Sequence, residues 1–451
     1  RFQDYLLYEI CLGSNTVATY IGKVATVLQQ AVKLKIIPNN PILHVNVVKR
    51  RATNRNFLTM QEIQSAIQTN HPALKMLDAE ARSMNEEAKG AYSWMPPEVG
   101  AGFFQTPYDP GRWKSMNGQP GMGAFMISAQ QMFPNKKRQN AEYAYMNAQS
   151  SVELQKKDVI VNELLFTARK NYYDWIVLEK KLKVLDENDK LLKFMMQSAE
   201  IRYKNGLGKI SAYYKAKAAL ANVENMQLML RNEINQKRIA INTVMNRSTE
   251  TAFAVDTNYV WYNFNRSMFD SVSLMKQRSD IKVIDRSIEV NKLERTAELA
   301  KLKPEFGIQY NHMTGWARQP LMFTVMGMVK IPLAKWSSKM NKAKAESLVW
   351  QNEALRNQQQ MIINEASGMA DNSFTELELK KKQMKLYEEQ IIPALRRNFQ
   401  TMQLGYEQNT EELFELFDAW EALNMTQMEY FDQLQKGLQM QAELMKILEI
   451  K

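Results

Sequence analysis

The distribution of proline constrains this chain more than any other feature. No proline occurs between Pro134 and Pro304, or between Pro332 and Pro393, while others cluster at 96–134 and 304–332. A proline inside a helix removes a backbone donor and costs about 3 kcal/mol, so the two gaps are where long helices can run. A helix from about Lys136 to Tyr203 would be about 100 Å long at 1.5 Å per residue. Its partners must be equally long helices, because no compact domain covers such a helix alone.

Side-chain spacing supports this reading. Leu164, Ala168, Asn171, Trp175, Leu178, Leu182, Leu185, Asp189, Leu192, Met196 and Ala199 follow one another at intervals alternating four and three. That is the seam of a left-handed coiled coil with two polar interruptions. Only 17 Gly and 13 Pro, with 45% apolar and 24% charged residues, suit helices with charged outer faces.

The two proline clusters read differently. Phe306-Gly307-Ile308-Gln309-Tyr310-Asn311 alternates with a period of two, and Phe323, Val325, Gly327, Val329 and Ile331 share one face of a second strand. In the first cluster Val99, Ala101 and Phe103 alternate with Gly100 and Gly102, and Phe125, Ile127 and Ala129 follow a turn-rich loop. No window holds the 18 or more apolar residues of a membrane helix, so any crossing must be made by a β-barrel.

The halves repeat one another. Pro97-Glu98-Val99-Gly100 corresponds to Pro304-Glu305-Phe306-Gly307, Phe133-Pro134 to Ile331-Pro332, and Tyr203-Lys204-Asn205-Gly206 to Tyr406-Glu407-Gln408-Asn409. Each half, 57–250 and 271–451, is expected to run helix, strand, loop, strand, long helix, tight turn, helix. Four strands cannot close on themselves, whereas three copies give the twelve strands of a barrel without exposed edges.

This layout resembles the TolC-like outer-membrane efflux family. Leu58-Thr59-Met60-Gln61-Glu62-Ile63 with Asn70-His71-Pro72-Ala73-Leu74 looks like its opening helix. Ala199-Glu200-Ile201-Arg202-Tyr203-Lys204-Asn205-Gly206-Leu207 looks like its first helix-turn-helix signature, and Gly405-Tyr406 through Leu416-Phe417-Asp418-Ala419 like its second. Gln130-Gln131-Met132-Phe133-Pro134-Asn135-Lys136-Lys137-Arg138 further resembles the heavy-metal branch of CusC- or CzcC-like channels. The resemblance implies a mainly α protomer with a long coiled-coil α-barrel and four membrane β-strands, three copies closing a 12-stranded barrel. It also implies a homotrimer in outer-membrane lipid, docked on a periplasmic adaptor and an inner-membrane pump.

Such a duct needs no catalyst, cofactor or metal centre. The three histidines, His44, His71 and His312, form no H-x-x-x-H pair, and no phosphate loop or nucleophile elbow is present. The single cysteine, Cys11, excludes a disulfide framework. After the second turn, Glu411, Glu415 and Asp418 stand at i, i+4 and i+7, one face of a helix, with Glu412 beside them. By the resemblance, Glu415 and Asp418 match the constriction aspartates and Tyr406 the gate-holding tyrosine. The arginine that partners that tyrosine is Glu411 here, so the usual locking bond is expected to be altered. Triplicated, the acidic face would make stacked rings selective for cations; a solvated acidic face is the alternative. The first repeat has Ala212 and Lys215 at the equivalent positions. The turn tips Asn205, Gly206, Leu207, Gly208, Gln408 and Asn409 are expected to dock the adaptor. The 29 methionines could suggest a soft path for copper or silver, but they fall mostly among apolar residues (Met195, Met196, Met326, Met328) and are expected to pack the core or face lipid, with metal left open as a cargo.

Residues 1–56 do not fit the duct. They carry eight basic against two acidic side chains, net +6 of the total +11. Phe2-Gln3-Asp4-Tyr5-Leu6, Asn15-Thr16-Val17-Ala18-Thr19-Tyr20, Leu28, Ala31 and Ile36-Ile37-Pro38-Asn39-Asn40-Pro41 resemble part of the helical core-binding domain of tyrosine recombinases, whose catalytic domain is absent. That resemblance implies DNA-backbone contact by this segment alone. Because Phe57-Leu58-Thr59-Met60-Gln61-Glu62-Ile63 resembles both families, a fusion or assembly artefact at that stretch is expected, the alternative being a true basic N-terminal helical domain with its own role. The first residue is Arg1 and no signal peptide is visible, which reads as a fragment or a processed product. A soluble coiled-coil scaffold and a DNA-binding protein led by residues 1–56 are the other readings.

Overall fold

The computed structural model describes residues 14–38 and 57–450, apart from positions 117, 318, 333 and 409. The chain divides into two compact units, Arg1–Phe57 and Leu58–Lys451. In the first, helix α1 (Ser14–Lys33) carries residues 15–20, Leu28 and Ala31 of the recombinase-like pattern. Residues 2–6 and 39–41 of that pattern lie outside the described residues.

The second unit opens with two short helices whose starts are set by their caps. Thr59 takes the backbone N–H of Glu62, and Glu62 takes that of Thr59 at 2.8 Å, a reciprocal box ahead of α2 (Met60–Asn70). His71 Nδ1 then accepts the N–H of Ala73 to start α3 (Pro72–Lys89), whose first-turn proline needs no donor.

Four strands and the long helices follow in duplicate. Strands β1 (Glu98–Phe104) and β2 (Ala124–Phe133) lead into α4 (Lys136–Lys204) and α5 (Ile210–Val244). After α6 (Ser271–Gln277) and α7 (Ser279–Ala300), strands β3 (Glu305–Gly315) and β4 (Met322–Lys330) lead into α8 (Lys335–Leu386), α9 (Ile392–Glu407) and α10 (Leu413–Ile447). The 69 residues of α4 make it about 100 Å long.

Every residue of the expected α4 seam is buried or half-buried. The stripe is nevertheless wider than two positions per heptad. Below Leu185 the most enclosed side chains are Asn188, Leu192, Met195 and Ala199, with Asp189 and Met196 half-buried beside them. A helix that packs on both α5 and α10 needs the broader stripe of three positions. The polar residue facing the core is therefore Asn188, which accepts Trp420 Nε1 at 3.0 Å and donates to Asn424 at 2.7 Å.

Pro393 falls inside the helical run that leads from Pro332 to the second turn. Residues Tyr387–Ile391 widen into a single π turn, and α9 continues with Pro393 in its first turn. The wider turn absorbs the missing N–H and the ring's clash with the preceding turn.

The sheet order is β1-β2-β3-β4, antiparallel throughout, so the hairpins of the two repeats pair through β2 and β3. Its register aligns Val99 with Ala129 and Tyr310, and Gly100 with Ser128, Asn311 and Thr324. One face is thus aromatic and β-branched, with Val99 72% and Val325 60% exposed. The other carries glycine, Ser, Asn, Gln and Thr together with charged residues, six methionines, Phe104 and Ala124, and is sheltered at its centre and base, Asn311 and Glu305 both being 7% exposed. At the loop end, Trp113 and Trp316 stack at 5.9 Å, tying the two hairpin loops together.

Candidate functional site

Two helix-turn-helix tips come together at the far end of the long helices. In the first, Asn205 caps α4 and Gly206 turns the chain at φ +74°. Leu207 N–H returns to the carbonyl of Arg202 at 2.8 Å, and Gly206 N–H to that of Tyr203 at 3.0 Å, a Schellman closure. In the second, Gln408 caps α9 and Thr410 N–H returns to the carbonyl of Gly405 at 2.9 Å, the same closure one repeat later. Asn409 lies outside the described residues. Nothing lies within 4 Å of where a Cβ on Gly206 would sit. The variant Gly206→Ala is therefore expected to lose about 1–2 kcal/mol from backbone conformation alone, measured as a lower denaturation midpoint of the purified protein.

The tips share an apolar core of Ala199, Ala212, Ala216, Leu416, Phe417 and Trp420. Tyr406 is sunk into it at 2% exposure. Its hydroxyl hydrogen-bonds Ser198 Oγ at 3.0 Å. Arg202 lies 4.1 Å over its ring and donates to its carbonyl at 2.9 Å. So the tyrosine does have an arginine partner. That partner comes from the first repeat of the same chain, not from the position of Glu411.

The acidic residues are arranged differently from the expectation. Helix α10 begins at Leu413 with Glu412 as its N-cap, so Glu411 precedes the helix and is not part of a helical face. The turn residues absorb the spacing that a continuous helix would have used. Glu415 and Asp418 are on α10, Glu415 in its first turn, where the helix dipole favours negative charge. Glu411 still reaches Glu415. A hydrogen bond and the charge of Glu411 push the Glu415 carboxyl above its usual range, with smaller contributions from Glu412 and Asp418. Asp418 is held by Lys215 of α5 at 3.0 Å, and Lys215 also lies over the rings of Phe414 and Phe417 at 5.2 and 5.3 Å. Sequence spacing identified Lys215 as the counterpart of Asp418, but the contact between them is visible only in three dimensions.

At the other end of the helices, strand and helix meet at a polar corner. Asn135 caps α4 through Lys137 N–H and donates to the carbonyl of Pro304 at 3.1 Å. Beside it Arg138 pairs with Glu305, which Lys330 also approaches at 3.8 Å. Among the described residues, no three His, Cys, Asp or Glu side chains converge to hold a metal, and no helix is long and apolar enough to cross a membrane.

Residues 63–247 match the family model described as outer membrane efflux protein. No curated protein matches the sequence. Among solved structures, the outer-membrane channel OprN superposes with a TM-score of 0.65 at 14% identity, over 86% of this chain and 89% of that one. The outer membrane protein VceC from Vibrio cholerae gives 0.62 at 14% identity, over 86% and 95%. The transmembrane channel CusC gives 0.65 at 12% identity, over 89% and 94%. The chain thus has the fold of the TolC-like outer-membrane channels and, over residues 63–247, the sequence pattern of the outer membrane efflux protein family.

Proposed function

We propose that residues 57–451 form one protomer of a homotrimeric export duct, with its sheet in an outer membrane and its helices extending into the periplasm. The sheet carries this reading. Its more exposed face is largely apolar, its more sheltered face gathers the charged and most of the amide side chains together with methionine and glycine, and among the described residues the outer edges of β1 and β4 have no partner strand. Unpaired edges in lipid leave backbone groups without hydrogen bonds, at several kcal/mol each. Joining β1 of one copy to β4 of the next removes them, and three copies give twelve strands.

The duct is passive and serves a tripartite efflux system, docking through its helical tips on a periplasmic adaptor below which an inner-membrane pump sits. Asn205, Gly206, Leu207, Gly208, Gln408 and Asn409 make the docking tips. The 74% exposure of Leu207, an apolar side chain at the point of a turn, supports that role. Glu415 and Asp418, with Glu411 beside them and Tyr406 anchoring the turn beneath, form the acidic gate. Imaging the detergent-purified oligomer tests the assembly. A three-fold tube with a barrel at one end, migrating differently on gels before and after heating, is the expected result. A soluble monomer, as a coiled-coil scaffold would give, overturns it.

A further inference from the structure

Both corners where a strand passes into a long helix are basic, and part of that charge is left over. Residues 134–140 hold Lys136, Lys137 and Arg138, residues 330–344 hold five lysines, and neither stretch has an acidic residue. Arg138 and Lys330 share Glu305, and Lys344 pairs with Glu294 at 3.2 Å. Lys136, Lys137, Lys335, Lys339 and Lys342 are exposed, and their ammonium groups have no acid partner among the described residues. Three of them form a row, since Lys335, Lys339 and Lys342 stand at i, i+4 and i+7 of α8. Like charges at that spacing destabilise a helix. The row is therefore unfavourable until an anion lies against it.

Its place in the chain says which anion. Strand β4 ends at Lys330 and α8 begins at Lys335. In the duct reading the strands end at the periplasmic boundary of the hydrocarbon, where the headgroup layer is about 5–8 Å deep. Lys339 and Lys342 follow Lys335 by about 6 and 10 Å along the helix, and a lysine stem can extend to hold its ammonium at the phosphate level. Glu346, next on the same face and about 16 Å from Lys335, reverses the sign and ends the row. Tryptophans stand at the same level. Trp94, 59% exposed, packs edge-on against Phe133 at 5.5 Å, at the foot of the exposed apolar face, and Trp336 beside Lys335 is 87% exposed. Tryptophan favours the boundary between hydrocarbon and headgroups. A free anion would account for the lysines alone, whereas a lipid accounts for the lysines, the tryptophans and the apolar face above them.

We infer that this corner is a collar that binds anionic phospholipid of the periplasmic leaflet. The headgroup phosphate lies against Lys335, Lys339 and Lys342 of α8, with Lys136 and Lys137 of α4 adding charge, and the acyl chains run along the apolar face of the sheet. The inference rests on the duct reading for where the membrane lies. Phosphatidylglycerol and phosphatidylcholine both carry a phosphate, but only the first has a net negative charge, so preference between them measures the lysine row.

The test uses the full chain. The oligomer is reconstituted in bilayers of equal phosphatidylglycerol and phosphatidylcholine, channel conductance is recorded, and the lipids that stay bound on transfer to detergent are counted by mass spectrometry. Retained phosphatidylglycerol should exceed phosphatidylcholine about fivefold or more, the factor that one lysine near a charged lipid surface supplies. The excess should shrink toward parity in about 1 M salt, where charges are screened beyond about 3 Å. Lys335→Gln/Lys339→Gln/Lys342→Gln should remove most of it while the channels still conduct. Lys335→Arg/Lys339→Arg/Lys342→Arg should keep it, because guanidinium also binds phosphate. The salt series needs no substitution and decides the matter if the glutamine variant does not assemble. Conducting channels that retain both lipids equally, or an excess that salt or glutamine leaves unchanged, overturn the collar and leave the duct intact. So does displacement of the lipid by inorganic phosphate at the same concentration, which would mark a site for the free anion. Protein that enters no bilayer overturns the duct, and the collar with it.

Discussion

Parent channels are expected to lose conductance on adding millimolar divalent or trivalent cations, and channels carrying Glu415→Ala together with Asp418→Ala are expected to conduct without that block. The argument begins with the geometry of the tip. Glu415 is drawn to Glu411, and Asp418 to Lys215. A multivalent cation brought to this ring replaces shared protons and a lysine as the carboxylates' partner. In the proposed trimer, removing both acids from each protomer would take away the negative ring and leave Lys215 uncompensated, so that the site would repel multivalent cations. Block that persists unchanged in the double variant would sink the gate. Lys215→Ala should act in the opposite sense, freeing Asp418 and making block stronger at a given cation concentration. Acidification discriminates further. The Glu415 carboxyl holds its proton to higher pH than an ordinary glutamate because Glu411 is beside it. Block should therefore weaken on acidification before ordinary carboxylates titrate, and Glu411→Gln, which removes the neighbouring charge, should move that loss to lower pH.

The long helices and the strand pairs were legible in the sequence because backbone rules govern both. A proline-free run above 100 residues permits little else, and the expected helix from Lys136 to Tyr203 differs from α4 by one residue. Strand faces follow from a period of two, and Val99, Phe125, Ile308 and Val325 do share one face. What was not legible depends on contacts between distant segments. Asn188 replaces Asp189 as the buried polar group because α4 has two long neighbours, a fact about packing and not about heptads. Glu411 leaves the helical face because α10 starts two residues later than the spacing assumed. Arg202 reaches Tyr406 across 204 residues, and nothing in either tip alone announces the pair. The methionines on the helices follow the expectation, Met195 being fully buried in the tip core with Met196 packed against it, whereas only the register across β2, β3 and β4 shows that the strand methionines share one face.

Replacing Glu305 by alanine should cost the assembled protein about 3 kcal/mol, the low end of the range for breaking a buried ion pair. Glu305 is enclosed at 7% exposure where β3 begins, and its carboxylate faces Arg138 at the start of α4 and Lys330 at the end of β4. The loss therefore unsettles a strand of the second repeat and a helix of the first together. Arg138 keeps about a third of its side chain in solvent, so part of its charge is rehydrated once the partner is gone, which is why the low end applies. The neighbouring bond from Asn135 to the Pro304 carbonyl joins the same two segments without charge and should survive. Two further variants separate charge from position. Glu305→Gln keeps the shape and the acceptor oxygen, and should lose less. Glu305→Leu with Arg138→Leu removes both charges, and apolar replacement of a whole buried pair is often neutral. The coupling energy of that double-variant cycle, from guanidinium unfolding in detergent, should be at least about 1 kcal/mol. A cycle that closes near zero would mean that Arg138 and Glu305 act independently, and that the corner between helix and strand is held by Asn135 and packing alone.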